Sequence, residues 1–225
     1  MGNRWTKPGL SGSRVHRNHN VDSTTARFET LYAPKIMKKN TKVDIAQRIV
    51  WMDLEMTGLD IENDHIMEIA CLVTDAQLNV VATGPDIVIN LPEVTLNKMN
   101  NWCKVQHGET GLTEACLKSD TSLAEAERII LKFVSNHVPE KICPLAGNSI
   151  YMDRMFLIKY MPKLNDYLHY RCIDVSTVKE LAKRWYPREY SLIPQKKFEH
   201  RALNDILESV QELKYYKENI FKTVL

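Results

Sequence analysis

Two acidic side chains interrupt an otherwise apolar run in Ile49-Val50-Trp51-Met52-Asp53-Leu54-Glu55-Met56. A strand sends residues two apart to the same face, so the carboxylates of Asp53 and Glu55 converge. Like charges held together in a sheet are costly unless something positive neutralises them, and a divalent cation is the usual solution. Oxygen donors of this hardness suit Mg²⁺ or Mn²⁺, not zinc. Taken alone, an Asp-x-Glu pair also describes a strand end emerging into solvent. Two further acids change the balance: Asp153 opens a helical pattern just after a short strand, and Asp205 lies near the start of the last helix, five residues after His200. A lone histidine ahead of a helix is more often a cap or a surface residue, but its spacing to Asp205 favours a chemical role. An imidazole with a pKa near ~6.5 suits proton abstraction at neutral pH.

These residues need elements to carry them. From residue 48 onward, strand-like apolar runs alternate with amphipathic helical segments, the signature of an α/β domain. Arg48–Glu55, His65–Asp75 and Val80–Ile89 read as three consecutive strands, with Asn63-Asp64 as the turn signal between the first two. Ser122–Val138 places Leu123, Ala126, Ile129, Ile130, Phe133 and Val134 at helical spacing, with Ser122 as a cap and Glu125 three residues on. A short strand over Pro144–Asn148 leads to a helix over Tyr151–Tyr160. A second strand, Tyr170–Val175, leads to the helix Ser176–Trp185. A polar, proline-containing loop, Tyr186–Glu199, then precedes a long helix, Arg201–Phe221. The predicted order is β-β-β-α-β-α-β-α-α, a mixed sheet covered by helices.

Composition narrows the partners. A chain of 225 residues with 44% apolar content can bury one substantial core. No stretch approaches the ~18 consecutive apolar residues that a membrane span requires. The cysteines, Cys71, Cys103, Cys116, Cys143 and Cys172, are odd in number, scattered and never spaced as Cys-x-x-Cys, which argues against a zinc site or a disulfide framework. They read as reduced small hydrophobes in a reducing compartment, cytosol or mitochondrial matrix.

Charge is distributed unevenly. Residues 1–43 carry nine basic residues against two acids, a net of +7, whereas residues 44–225 carry 21 against 26, a net of −5. The arm lacks apolar periodicity and reads either as a mitochondrial transit segment or as a disordered extension of a single folded body at 44–225. Its first residues also fit a loose myristoylation pattern. Met37 is placed to act as an internal start, giving an untargeted cytosolic or nuclear form. An acidic body is a poor match for long nucleic acid bound by blanketing phosphates, so a nucleic-acid substrate should be short or held by metal ions.

Asp53-x-Glu55, Asp153 and His200-x-x-x-x-Asp205, in that order, resemble the exonuclease superfamily with four metal-binding acids and a histidine base, which has a ribonuclease H-like fold. The likeness sharpens in Trp51-Met52-Asp53-Leu54-Glu55-Met56-Thr57-Gly58-Leu59, Gly147-Asn148-Ser149, Lys159-Tyr160-Met161-Pro162, His169-Tyr170-Arg171 and Asp174-Val175-Ser176-Thr177, all of which resemble the oligoribonuclease family. It spans nearly all of residues 44–222 and leaves out the basic arm. The departure is Asn204, where an acid is expected beside Asp205.

What the resemblance implies is specific. Asp53, Glu55, Asp153 and Asp205 hold two Mg²⁺ or Mn²⁺ ions roughly 3.5–4 Å apart, and His200 acts as general base. The reaction is 3′-to-5′ hydrolysis of very short oligoribonucleotides, dinucleotides upward, to nucleoside 5′-monophosphates. Leu59 wedges between two bases, with Trp102 and the partner subunit's Tyr170 flanking them, in a homodimer whose site is completed across the interface. Arg171, Ser149 and Ser176 cap the 5′ phosphate, and His107 lines the site. From the residues alone, Leu59 and Trp102 serve equally well as core packing. Two rival functions stay open at this stage: a 3′ exonuclease for longer RNA or DNA, and a binding module that has lost its chemistry.

Overall fold

The computed structural model describes residues 42–194 and 201–221. Most of the basic arm, Met37 within it, and His200 with the end of the preceding loop lie outside the described residues. After a short helix α1 (Lys42–Ala46), three antiparallel strands follow: β1 (Ile49–Met56), β2 (Ile66–Thr74) and β3 (Val80–Val88). Two short strands, β4 (Leu145–Gly147) and β5 (Cys172–Asp174), add in parallel on the other side of β1, giving the order β3-β2-β1-β4-β5. The expected mixed α/β sheet flanked by helices is what forms.

The helices are α2 (Glu93–Leu96), α3 (Asn101–Glu109), α4 (Leu112–Lys118), α5 (Leu123–His137), α6 (Ile150–Tyr160), α7 (Pro162–Tyr167), α8 (Val175–Trp185), α9 (Pro187–Tyr190) and α10 (Ala202–Asn219). Ser122 caps α5 as its position suggests, accepting from the Glu125 N–H at 3.2 Å. The Glu125 carboxylate pairs forward with Arg128 instead, so the reciprocal half of the capping box does not form. The β1–β2 turn is organised around Asp60, whose carbonyl accepts from Asn63 and Asp64 at 3.1 and 2.7 Å, so Asn63-Asp64 closes the turn without being its centre.

Helices α1 to α4, α7 and the single turn of α9 were not legible as helices. Segment 93–118 offers no continuous apolar stripe. Its few buried apolar side chains, Leu96, Met99, Cys103, Leu112 and Cys116, gather on Met67 of β2, and this tertiary contact makes the segment helical. Four of the cysteines are buried as expected, and Cys172 is exposed. Among the described residues, no helix is long and apolar enough to cross a membrane.

Strand alternation divides the core in two. Val50, Met52 and Leu54 of β1 pack with Ile130 and Val134 of α5 and Phe156 of α6. Ile49 and Trp51 face the opposite way, against Ile206 and Val210 of α10. Asp53 and Glu55 continue that odd-numbered series, so the pattern that buries Trp51 under α10 also aims both carboxylates toward the first turn of α10. Where β4 turns into α6, Gly147 passes so close to β1 that a Cβ there would lie 2.9 Å from the Met52 carbonyl oxygen.

Candidate active site

Asp205 projects from the first turn of α10, and its carboxylate meets those of Asp53 and Glu55: one oxygen from each lies within 4.8 Å of the others. Asp153 arrives from a different direction, in the first turn of α6. It is buried, and its Oδ1 accepts the Leu54 N–H at 2.9 Å, pinning it to the strand between the other two acids. All four predicted acids therefore gather around the C-terminal half of β1.

Electrostatics registers the crowding. Burial first, then the carboxylates of Asp205, Glu68 and Asp153, push the Glu55 carboxyl up to about 8, with Arg201 opposing. Asp153 is pushed up to about 7, chiefly by burial, against the stabilising Leu54 N–H. Carboxyls that resist ionising in the bare protein, with hard oxygen atoms already converging, fit a divalent cation: its charge would remove the repulsion that raises them.

His107, from α3, is buried against the end of β1. Its Nε2 donates to the Met56 carbonyl at 3.0 Å, and its Nδ1 faces Glu55 Oε2 at 3.9 Å. The ring thus lies beside the Glu55 carboxylate. His200 falls outside the described residues; Arg201, the next residue in sequence, is described.

A polar knot stands at the start of α6. Ser149 adopts a left-handed conformation, φ 51°, unusual for a residue with a side chain. Its N–H donates to Asp174 Oδ1 and Ser176 Oγ, both at 3.0 Å, and its hydroxyl lies 3.1 Å from that of Ser176. Ser176 also reaches Asn148 Oδ1 at 3.1 Å. The two serines expected to share a phosphate are thus joined, one turn from Asp153. Arg171 lies beside the Tyr170 ring, 5.4 Å from its centroid, and Tyr170 stacks on His169.

Leu59, Trp102 and Tyr170 are all exposed, at 66%, 62% and 72%, which settles against core packing for the first two. Leu59 rides a braced loop: Asp64 accepts from the Thr57 hydroxyl at 2.8 Å, and Tyr160 donates to the Asp64 carbonyl at 2.6 Å.

Sequence reading passed over Glu68 and Arg201. Glu68 is fully buried on β2, opposite Glu55 in the strand register, and binds the Arg201 guanidinium with Nη2 to Oε1 at 2.7 Å. A single acid inside the apolar strand Ile66–Thr74 was the available signal.

The comparisons with known proteins follow the same elements. The family model described as Exonuclease matches residues 50–213, a span that takes in all four acids. The chain is 56% identical over 178 residues to the mitochondrial oligoribonuclease of Bos taurus, covering 79% of this chain and 75% of that one. It is 53% identical over 214 residues to the probable oligoribonuclease of Drosophila melanogaster, covering 95% and 96%. With the oligoribonuclease of Chromobacterium violaceum it shares 48% over 174 residues, 77% and 96% of the two chains. Among solved structures, E. coli exonuclease I bound to single-stranded DNA superposes with a TM-score of 0.55 at 18% identity, over 77% of this chain and 41% of that longer one, a likeness of fold alone. A family match running through every acid of the site, together with identities near one half to animal and bacterial relatives, means that this chain belongs to the oligoribonuclease family of exonucleases.

Proposed function

We propose that this chain is a 3′-to-5′ exoribonuclease that hydrolyses very short oligoribonucleotides, dinucleotides upward, to nucleoside 5′-monophosphates. The observation that carries the reading is the meeting of Asp53, Glu55 and Asp205 within one 4.8 Å cluster, in a chain about half identical to oligoribonucleases. With Asp153 they would hold two Mg²⁺ or Mn²⁺ ions, which when bound supply the positive charge that activates a water and stabilises the departing 3′ oxygen. His200 takes the proton of the attacking water. Ser149 and Ser176 offer hydroxyls, and Arg171 a charge, to the 5′ phosphate. The exposed side chains of Leu59 and Trp102, with the partner subunit's Tyr170, take the two bases by wedging and stacking, worth ~1–3 kcal/mol per base. A net of −5 over residues 44–225 agrees with a substrate that has few phosphates.

A homodimer completes this reading. On α6 the side chains of Tyr151, Met155 and Ile158 are exposed at 57%, 41% and 55% and recur at helical spacing, an apolar stripe suited to a second copy of the chain. Sedimentation should show a dimer that Met155→Glu splits, while Tyr170→Ala should remain dimeric and lose activity. The basic arm, with relatives named as mitochondrial, supports mitochondrial targeting, and an internal start at Met37 an untargeted form. Mass spectrometry of the mature N-terminus in each cell fraction tests both.

The decisive assay compares Mg²⁺-dependent hydrolysis of a dinucleotide with that of a much longer RNA or DNA oligomer, with Asp153→Asn as the inactive control. A preference for the longer substrate would end the short-substrate reading. Activity unchanged in Asp153→Asn would end the metal-site reading.

A further inference from the structure

The helix that brings Asp205 to the site has no cap of its own. Arg201 occupies the N-cap position and makes no side-chain bond to the N–H groups of the first turn. Those groups need partners from elsewhere. One comes across the fold: Glu68 Oε2, from the middle of the sheet, accepts the Ala202 N–H at 3.2 Å. The same carboxylate takes Arg201, whose Nε lies 3.0 Å and Nη2 2.7 Å from Oε1.

Geometry makes this more than a cap. Asp205 follows Ala202 by three residues, so it stands one turn above the captured N–H on a neighbouring azimuth of the helix. Glu68 faces Glu55 across the β1–β2 ladder. A single buried carboxylate thus ties the start of α10 to the strand position next to the metal-ligand glutamate. It also holds the residue directly after His200 in the chain. The guanidinium is the cation that opposes the rise of the Glu55 carboxyl, and it lies near Asp86 as well.

As a source of stability alone this is a poor arrangement, because burying the Glu68 carboxylate costs desolvation that pairing with a half-exposed guanidinium offsets only in part. The chain uses a similar cap far from the acids, where Glu127 on α5 accepts the Lys163 and Leu164 N–H groups at 2.7 and 3.2 Å at the start of α7. That cap has no arginine and holds no acid of the site.

We propose that Glu68 and Arg201 are positioning residues: together they set the start of α10, and with it Asp205, in working register with Asp53 and Glu55. The proposal rests on the reading of Asp205 as a metal ligand.

The test pairs Mn²⁺ binding by calorimetry, without substrate, with kcat and KM on a dinucleotide. Glu68→Gln and Arg201→Met should weaken Mn²⁺ binding and lower kcat by about 10–100-fold, the usual cost of losing a group that orients a metal ligand. KM should change little. Arg201→Lys, which keeps the charge and loses the fork, should fall between these variants and the wild type. The double variant Glu68→Leu/Arg201→Met removes both members of the pair, leaving Asp86 as the charge beside them, and should lose metal affinity and kcat well beyond any change in Tm. Glu127→Gln provides the contrast: its Tm should drop with Mn²⁺ binding unchanged. The proposal is overturned if the double variant binds Mn²⁺ and turns over like the wild type, or if its losses simply follow Tm as they would in Glu127→Gln. Asp205→Asn separates the two levels. If it retains metal binding, the metal-site reading itself fails; if it loses binding while the Glu68 and Arg201 variants do not, only the latch fails.

Discussion

Asp53, Glu55, Asp153 and Asp205 are carried by β1, α6 and α10, flanked by residues such as Met52, Leu54, Phe156 and Ile206 that are almost wholly buried, whereas Leu59, Trp102 and Tyr170 stand in solvent on a loop, a first helical turn and the approach to β5. The difference follows from what each group must withstand. Carboxylates repel one another and would swing apart on mobile supports, so the fold holds them on a packed strand and two packed helices, with the Leu54 N–H and Glu68 as braces. On the proposed function, side chains that grip bases gain by staying open until a ligand covers them, with their contact energy coming from the complex and not from the free protein.

That contrast predicts how the two regions respond to mutation. At the acid end, Asp153→Asn should lower kcat by at least about 10³-fold, the upper end of what losing one preorganised electrostatic group costs, with the fold intact by circular dichroism. His200→Ala should cost about 10²–10⁴-fold in kcat, and the acidic limb of the pH–rate profile should disappear with it. At the exposed rim, Trp102→Ala should cost about 5–150-fold in kcat/KM on a dinucleotide, from ~1–3 kcal/mol of lost stacking, with Tm unchanged. A large fall in Tm for Trp102→Ala would erase the distinction, because it would mean that the ring packs rather than waits.

The smallest effect is on stability against pH. Glu55 is raised from 4.5 to about 8, so between those values the folded protein holds a proton that the unfolded chain has released. This contribution is complete below the lower value and is lost as pH rises through the upper one, and Asp153, raised to about 7, adds in the same sense. Metal-free protein should therefore lose stability as pH climbs through that window. Added Mn²⁺ should raise Tm more at about pH 8 than at about pH 5, where protons compete for the same oxygens. Thermal melts with and without metal would show it, and an equal gain at both pH values would contradict the cation reading of the cluster.

Several features were readable one residue at a time. The alternation of β1 placed Asp53 and Glu55 on one face, and helical spacing located α5, α6, α8 and α10 with Asp153 and Asp205 in first turns. Cap chemistry identified Ser122. By contrast, α2 to α4 depend on contacts with Met67 and have too little periodicity of their own to be read. Glu68 looked like an isolated acid in an apolar strand because its partner is 133 residues away.

Local order along the chain therefore determined which residues are candidates for chemistry and which way each strand or helix presents them, because those depend on fixed backbone periods. Tertiary structure alone decided that Trp102 and Leu59 stand in solvent, that Ser149 and Ser176 share a knot with Asp174, and that Arg201 closes on Glu68. Each of these is a contact or an exposure set by packing between distant segments, and no local pattern encodes how far apart two such segments will come to rest.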